Sequence, residues 1–68
     1  MSVHTERVRR LHDVRFIETQ TEDAGVVMTC FEVRAEGRTV FLERPMSADS
    51  YARGVAAFCR YLQTIEPS

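Results

Sequence analysis

The fold is decided by residues 26–44, which read VVMTCFEVRAEGRTVFLER. Two runs rich in β-branched and aromatic residues, 26–35 and 38–44, flank the dipeptide Glu36-Gly37. Such runs favour strands, and glycine supplies the positive φ that a tight two-residue turn needs. The stretch therefore predicts an antiparallel hairpin, whose second strand ends at Pro45 because proline has no amide hydrogen for the ladder.

The flanking sequence adds a strand before this hairpin and a helix after it. Residues 13–20, DVRFIETQ, alternate as a strand does, and TEDAG at 21–25 predicts a hairpin loop of several residues. From Ser47 onward the apolar period becomes helical, which predicts an amphipathic helix with Ser47 as its N-cap. Gly54 within it indicates either a close approach to the sheet or a tolerated weakness. The apolar stripe comprises Tyr51, Val55, Phe58, Leu62 and Ile65.

The amino-terminal segment, residues 1–12, has no strong period. Val8 and Leu11 form one i, i+3 pair, which allows a short helix over about residues 4–11. The predicted class is α+β: a three-stranded antiparallel β-meander with a C-terminal amphipathic helix packed on one face, in the order (α)βββα. We expect a basic segment over residues 1–12 and a single domain over residues 13–68.

The predicted register sorts the strand residues into two faces. A two-residue turn at Glu36-Gly37 pairs Arg34 with Thr39, and the pairs continue inward one residue at a time as far as Phe31 with Leu42. One face is almost entirely apolar and must lie under the helix. It comprises Val14, Phe16, Val27, Thr29, Phe31, Val33, Val40 and Leu42.

The second face is mixed and carries more apolar surface than a solvated sheet face usually exposes, which indicates an interaction site. Three explanations compete: the amino-terminal segment covers this face, a second copy of the chain packs on it, or another protein binds it. The candidate interface residues are Ile17, Val26, Met28, Cys30 and Phe41.

The charge balance disfavours nucleic acid without excluding it. The 68 residues contain nine basic and ten acidic side chains, for a net charge of -1, and all nine basic residues are arginine. Nucleic-acid binders usually show a basic excess. A nucleic-acid interface would have to be formed by Arg7, Arg9, Arg10, Arg15, Arg34 and Arg38.

A limited resemblance supports that alternative. Residues 38–62, RTVFLERPMSADSYARGVAAFCRYL, are similar in their order to the last strand and helix of plant AP2-type and integrase-type DNA-binding domains, which implies a sheet that reads DNA with arginine and tryptophan side chains, although this chain has no tryptophan. The resemblance covers about 25 residues and is architectural. The chain departs from a DNA-reading sheet because acidic Glu32 and Glu43 accompany Arg15 and Arg34, so that opposed charges would pair.

The sequence predicts no catalytic or metal chemistry. His4, His12, Cys30 and Cys59 are the soft ligand candidates, and none has the spacing of a zinc site. The three glycines stand apart, so there is no phosphate-binding loop, and a 68-residue unit has little room for a catalytic pocket. We therefore expect no enzyme, no cofactor, no metal and no small-molecule substrate.

The amino terminus has no apolar run of the kind found in signal peptides or membrane spans, so we expect a cytoplasmic protein without a membrane partner. The predicted function is that of a small, non-catalytic protein–protein interaction or accessory protein. We expect a homodimer, or a complex with another protein, formed through the second sheet face or a strand edge. The alternative is a βββα nucleic-acid-binding module.

Overall fold

The structure, a computed structural model, describes residues 3–65 and shows one antiparallel sheet with a helix on it. The strands neighbour one another in chain order, and the helix follows them. The α+β class and the C-terminal helix are confirmed, whereas the sheet has four strands instead of three. The elements are β1 (Val3–Leu11), β2 (Val14–Asp23), β3 (Val26–Ala35), β4 (Arg38–Glu43) and α1 (Ser50–Ile65).

The additional strand is β1, and the prediction of a helix over residues 4–11 is wrong. All nine residues of β1 are exposed, so the segment lacks the alternation of apolar and polar residues by which a half-buried strand is recognised. Its pairing with β2 runs from Val3 opposite Glu22 to Leu11 opposite Val14. The segment therefore extends the sheet at its edge and does not cover the second face.

Each of the three turns contains two residues, so the predicted turn at Glu36-Gly37 is confirmed and the β2–β3 hairpin is tighter than the loop predicted over residues 21–25. In Ala24-Gly25 and in Glu36-Gly37 the backbone φ is positive at both residues. This turn geometry matches the right-handed twist of the adjoining strands. Residues 21–23, predicted as loop, continue β2 as far as Asp23.

A β-bulge in the last hairpin changes which side chains face the helix. The predicted pair of Arg34 with Thr39 is confirmed, but the register then shifts, so that Val33 pairs with Phe41. A bulge adds one residue to one strand, and the β4 side chains beyond it exchange faces. Leu42, predicted in the core, is 55% exposed, and Phe41 packs against the core instead.

The helix packs through three small residues and through part of the predicted stripe. Ser50, Gly54 and Ala57 are its buried positions, and Tyr51 and Phe58 of the stripe pack against the core beside them. Val55 and Leu62 of the stripe are exposed. Residues at i, i+4 and i+7 lie on one face of a helix. The most buried positions, 50, 54 and 57, are each one residue before positions 51, 55 and 58 of the predicted stripe. The helix therefore has an exposed apolar flank as well as a buried face.

Gly54 marks the closest approach of helix and sheet, which confirms the first of its two interpretations. A Cβ atom at this position would lie 2.7 Å from Cε2 of Phe31 and 2.8 Å from Cγ2 of Val33. Both of these side chains are fully buried and form the centre of the core with Val14. Only a residue without a side chain fits here.

The helix begins later than predicted. The carbonyl of Asp49 accepts the first helical hydrogen bond, from the amide of Arg53 at 3.1 Å, so Asp49 and not Ser47 is the N-cap. The Ser47 amide donates to Oγ of Ser50 at 2.8 Å, which ties the preceding loop to the first helical residue.

The core is small for a chain of this length. Its aromatic centre is Phe31 against Tyr51, with ring centroids 4.6 Å apart. Val27, predicted in the core, lies on the part of the β2–β3 hairpin near Ala24-Gly25 and is exposed. The radius of gyration is 13.6 Å, against about 11 Å expected for a compact domain of this size. Much of the sheet surface is therefore not used to form the fold.

Candidate functional site

The candidate site is the sheet face opposite α1, which we call the uncovered face. Directly opposed residues of antiparallel strands point to the same side, so the strand registers define its members. Within residues 3–65 no element lies over this face. Its members are His4, Glu6, Val8 and Arg10 on β1, Arg15, Ile17, Thr19, Thr21 and Asp23 on β2, Val26, Met28, Cys30, Glu32 and Arg34 on β3, and Thr39 and Leu42 on β4.

Apolar side chains occupy much of the middle of this face. Val8 and Ile17 are direct cross-strand neighbours, and Leu42 lies in the same row beyond Glu32. Met28, in the direction of the Ala24-Gly25 turn, is 42% exposed. Neighbouring apolar side chains left open to solvent on a sheet face are typical of an interaction surface.

Three arginines form a row at the end of the face near the His12-Asp13 and Glu36-Gly37 turns. Arg10 is directly opposite Arg15, and Arg15 is directly opposite Arg34. We call these three residues the arginine row. Like charges that face one another across strands are destabilising. Two acidic residues of the adjoining turns, Asp13 and Glu36, line one open depression together with the arginine row.

The arginine row is only partly neutralised by its own chain. Nε of Arg34 lies 3.6 Å from Oε2 of Glu32, and its Nη2 donates to the carbonyl of Gly37 at 3.2 Å. Glu32 also accepts a hydrogen bond from the hydroxyl of Thr39. An open depression of about 450 Å³ is lined by the row together with the aliphatic side chains beside it. The lining residues are Glu6, Val8, Arg10, Arg15, Ile17 and Arg34.

The structure places four of the five candidate interface residues on this face: Ile17, Val26, Met28 and Cys30. The fifth assignment, Phe41, is wrong, because the bulge turns its ring towards the helix, where its centroid lies 6.1 Å from that of Phe31.

Two apolar members of the face were missed by the sequence reasoning. Val8 was missed because its segment was not recognised as a strand, and Leu42 because the bulge was not foreseen.

The six arginines of the nucleic-acid alternative do not form one patch. The three members of the arginine row lie on the uncovered face, and the other three lie on the helix side. There Nη1 of Arg7 is 3.9 Å from Oε2 of Glu18, and the Arg9 guanidinium lies 5.9 Å from the ring centroid of Tyr51. Arg38, the first residue of β4, is opposite Ala35.

A second polar cluster, on the helix side, holds the start of α1 against β4. Nε and Nη2 of Arg53 donate to Oε2 and Oε1 of Glu43 at 2.7 and 2.5 Å, and the Ser50 hydroxyl donates to Oε1 as well. These hydrogen bonds, that of Arg53 first, lower the pKa of Glu43 from its ordinary value near 4.5 to about 2. The Glu43 carboxylate in turn raises the pKa of Arg53. The cluster is a structural tie between helix and sheet.

The described part of the chain brings no three or more His, Cys, Asp or Glu side chains together in an arrangement that could hold a metal ion. Cys30 and Cys59 are free thiols. Among residues 3–65, no helix has both the length and the apolar character needed to cross a membrane.

Comparison of the chain with protein-family models, with curated proteins and with solved structures gives no match in any of the three. The four-stranded meander with one helix and the uncovered face are therefore the observations from which a function is proposed.

Proposed function

We propose that this chain is a small, non-catalytic protein–protein interaction module that forms a homodimer through the uncovered face. The observation that carries the proposal is the apolar surface around Val8, Ile17, Met28 and Leu42, which no element of residues 3–65 covers. Packing two such sheet faces together, with side chains interdigitating across a gap of about 10 Å, is a common way to bury them.

The size of the face suits a dimer. The strands have nine, ten, ten and six residues, and at about 3.3 Å per residue and about 4.8 Å between strands they give a face of about 550 Å². Two such faces would bury about 1,100 Å², just below the range of standard specific interfaces and within that of weaker ones. We therefore expect a dimer that forms at micromolar or higher concentration.

A small core also favours self-association. A chain of this length buries only about 60% of its unfolded surface, and its described part already leaves Val26, Met28 and Leu42 exposed. Burying apolar side chains against a second copy would add about 25 cal/mol per Å² to the stability of the folded state. Fold and association would then reinforce one another.

The second candidate function is nucleic-acid binding, and the arginine row is the observation that favours it. Three guanidinium groups across about 10 Å could contact neighbouring phosphates. Against this, Glu32 lies beside Arg34, the face carries Glu6 and Asp23, and the net charge of the chain is -1. The apolar middle of the face fits a protein partner better.

The test replaces an apolar residue of the uncovered face with a charged one. We expect the wild-type chain to have twice its monomer mass of 7.8 kDa in size-exclusion chromatography with light scattering. Met28→Glu should give a monomer, because each dimer would otherwise bury two carboxylates. Leu62→Glu on the exposed helix flank is the matched control and should stay dimeric, since Leu62 is 38% and Met28 42% exposed.

Two results would contradict the proposal. A wild-type chain that is monomeric up to the highest concentration reached would remove self-association. A Met28→Glu variant with unchanged dimer mass would remove the uncovered face as the interface. Loss of a co-purifying absorbance at 260 nm in Arg10→Ala, without any change in mass, would favour the nucleic-acid function instead.

A further inference from the structure

The outer edge of β1 has no neighbouring strand in the described part of the chain. β1 is the first strand in the sheet order, is nine residues long and is exposed throughout. Its register with β2 is regular from Val3 to Leu11, and its sequence contains no proline. Bulges and prolines are common features that prevent an edge strand from pairing with another chain. β1 has neither, so its edge can accept a further strand.

The other edge of the sheet is less suitable for strand addition. β4 has six residues, and its register with β3 is interrupted by the bulge. A short edge strand with a bulge presents fewer backbone groups in the alignment that a further strand needs. The available edge of this sheet is therefore that of β1.

The hairpin geometry determines which backbone groups of β1 point outwards. In a two-residue hairpin the residues that flank the turn, here Leu11 and Val14, exchange both backbone hydrogen bonds, and bonded and non-bonded pairs then alternate along the strands. The non-bonded residues of β1 turn their N–H and C=O groups to the outer edge. An antiparallel strand added there would form about eight backbone hydrogen bonds. The outward-facing residues are His4, Glu6, Val8 and Arg10.

The side chains of β1 favour an acidic partner. The strand carries three arginines, Arg7, Arg9 and Arg10, against one acidic residue, Glu6. Nη1 of Arg7 is 3.9 Å from Oε2 of Glu18, and the Arg7 side chain is 71% exposed. Among residues 3–65, no carboxylate lies within 4.0 Å of the Arg9 guanidinium. Both arginines can therefore accept a further carboxylate.

Arg7 and Arg9 are more important for this preference than Arg10. Arg10 shares an open depression with the acidic side chains of Asp13 and Glu36. Arg7 and Arg9 are two residues apart on the strand, so their side chains lie on the same side of the sheet. Directly opposed residues of opposite charge stabilise a pair of strands. Acidic residues at two alternate positions of the added strand would lie opposite these two arginines.

We propose that the outer edge of β1 binds an extended acidic segment of another protein as a fifth, antiparallel strand. Backbone hydrogen bonds supply the affinity in this mode of recognition, and the charges of the side chains select the partner. The added strand lies beside β1 in the plane of the sheet, whereas the proposed dimer uses the uncovered face. The proposal therefore goes beyond the proposed function and does not depend on it.

The antiparallel register converts the sequence of β1 into a pattern for the partner. In the direction of the partner chain, two acidic residues lie opposite Arg10 and Arg9, an apolar residue lies opposite Val8, and an acidic and a basic residue lie opposite Arg7 and Glu6. The capped peptide VEEVEKTTV has this pattern and is as long as β1.

The experiment measures binding of fluorescein-labelled VEEVEKTTV to the full chain by fluorescence anisotropy. The peptide VKKVKETTV, with every charge reversed, is the matched control and should bind at least about tenfold more weakly, because like charges would then face one another. The peptide VEEPEKTTV keeps all the charges but lacks one backbone donor of the added strand. It should also bind at least about tenfold more weakly.

Three variants of the protein test the site. Arg9→Gln should weaken binding of VEEVEKTTV about threefold, whereas Arg34→Gln, which removes the same charge from the arginine row, should change it less than about twofold. Glu6→Pro removes an outward amide donor and leaves the hydrogen bonds between β1 and β2 in place. It also removes the acidic side chain of β1, so attraction by charge alone would become stronger. Strand addition should become at least about tenfold weaker.

Four results would overturn the proposal. The first is a wild-type chain that does not bind VEEVEKTTV up to the solubility limit of the peptide, and the second is equal binding of VKKVKETTV. Unchanged or tighter binding by Glu6→Pro, or of VEEPEKTTV by the wild type, would show adsorption by charge without strand addition. A larger loss in Arg34→Gln than in Arg9→Gln would place the peptide on the arginine row.

Far-UV circular dichroism shows whether each variant keeps the fold, and VEEPEKTTV makes the same test as Glu6→Pro on the unmodified chain. The mass of the wild-type chain is a separate readout. A monomer that binds VEEVEKTTV with the expected selectivity would refute the proposed dimer and support the strand-addition site.

Discussion

Replacing Gly54 with alanine tests the close packing of helix and sheet. Alanine is the better helix former, by about 1 kcal/mol, so propensity alone predicts a more stable protein. The new Cβ would lie 2.7 Å from Phe31 and 2.8 Å from Val33, about 1 Å inside the preferred separation of two carbon atoms. Neither neighbour can move into open space, because both side chains are fully buried.

The overpacking should exceed the gain in propensity. Forcing a methyl group into a packed core costs about 1–3 kcal/mol, and two contacts this short place Gly54→Ala in the upper part of that range. We therefore expect a net loss of about 1–2 kcal/mol, which lowers the melting temperature of a domain this small by about 4–16 °C.

The assay is urea and thermal unfolding followed by far-UV circular dichroism, at one protein concentration because association would shift both transitions. Ala56 is an exposed position on the same helix, so Ala56→Gly changes helix propensity alone and should lower the free energy of unfolding by about 1 kcal/mol. A Gly54→Ala variant as stable as the wild type, or more stable, would refute the close approach and with it the account of why the helix buries small residues.

Two further predictions concern the helix side. Glu43→Gln should lower the melting temperature at pH 7. The difference from wild type should shrink as the pH falls from about 4.5 to 2, because the lowered pKa of Glu43 contributes stability only while the carboxylate is charged. An equal difference in melting temperature at pH 2 and pH 7 would contradict this. Phe41→Ala should lower the free energy of unfolding by about 2–3 kcal/mol, and Leu42→Ala should lower it by less than about 1 kcal/mol. Both are measured by urea unfolding at a concentration where the chain is monomeric. The reverse order of the two losses would show that there is no bulge.

The sequence predicted the elements whose signal is local. The hairpin around Glu36-Gly37 could be predicted because a turn dipeptide and two β-rich runs all indicate it, and α1 because a helical period extends over most of its length. The strand β1 could not, because its residues are all exposed and its pairing with β2 is a long-range contact. Alternation marks a strand only when one of its sides is buried.

The candidate site was predictable to the extent that the register was. Ile17 and Met28 could be assigned to the uncovered face because β2 and β3 are regular. Successive side chains of a regular strand point to opposite faces, so the position along the strand alone determines the side of the sheet. Phe41 could not be assigned correctly, because the bulge that turns it towards the helix has no signature in the residues of β4 themselves. The arginine row escaped notice for a related reason, since Arg10 joins Arg15 and Arg34 only once β1 is in the sheet.

The proposed face-to-face dimer would also explain why the long exposed edge of the sheet at β1 need not lead to open-ended association. The edge strand β1 is nine residues long, and such edges readily pair with other chains. Its basic side chains, among them Arg7 and Arg9, oppose pairing with a second β1, because two such strands would bring like charges together. A two-fold interface through the uncovered face uses the same surface on both copies and is then closed. In this arrangement the apolar side chains of the face would supply the free energy of association.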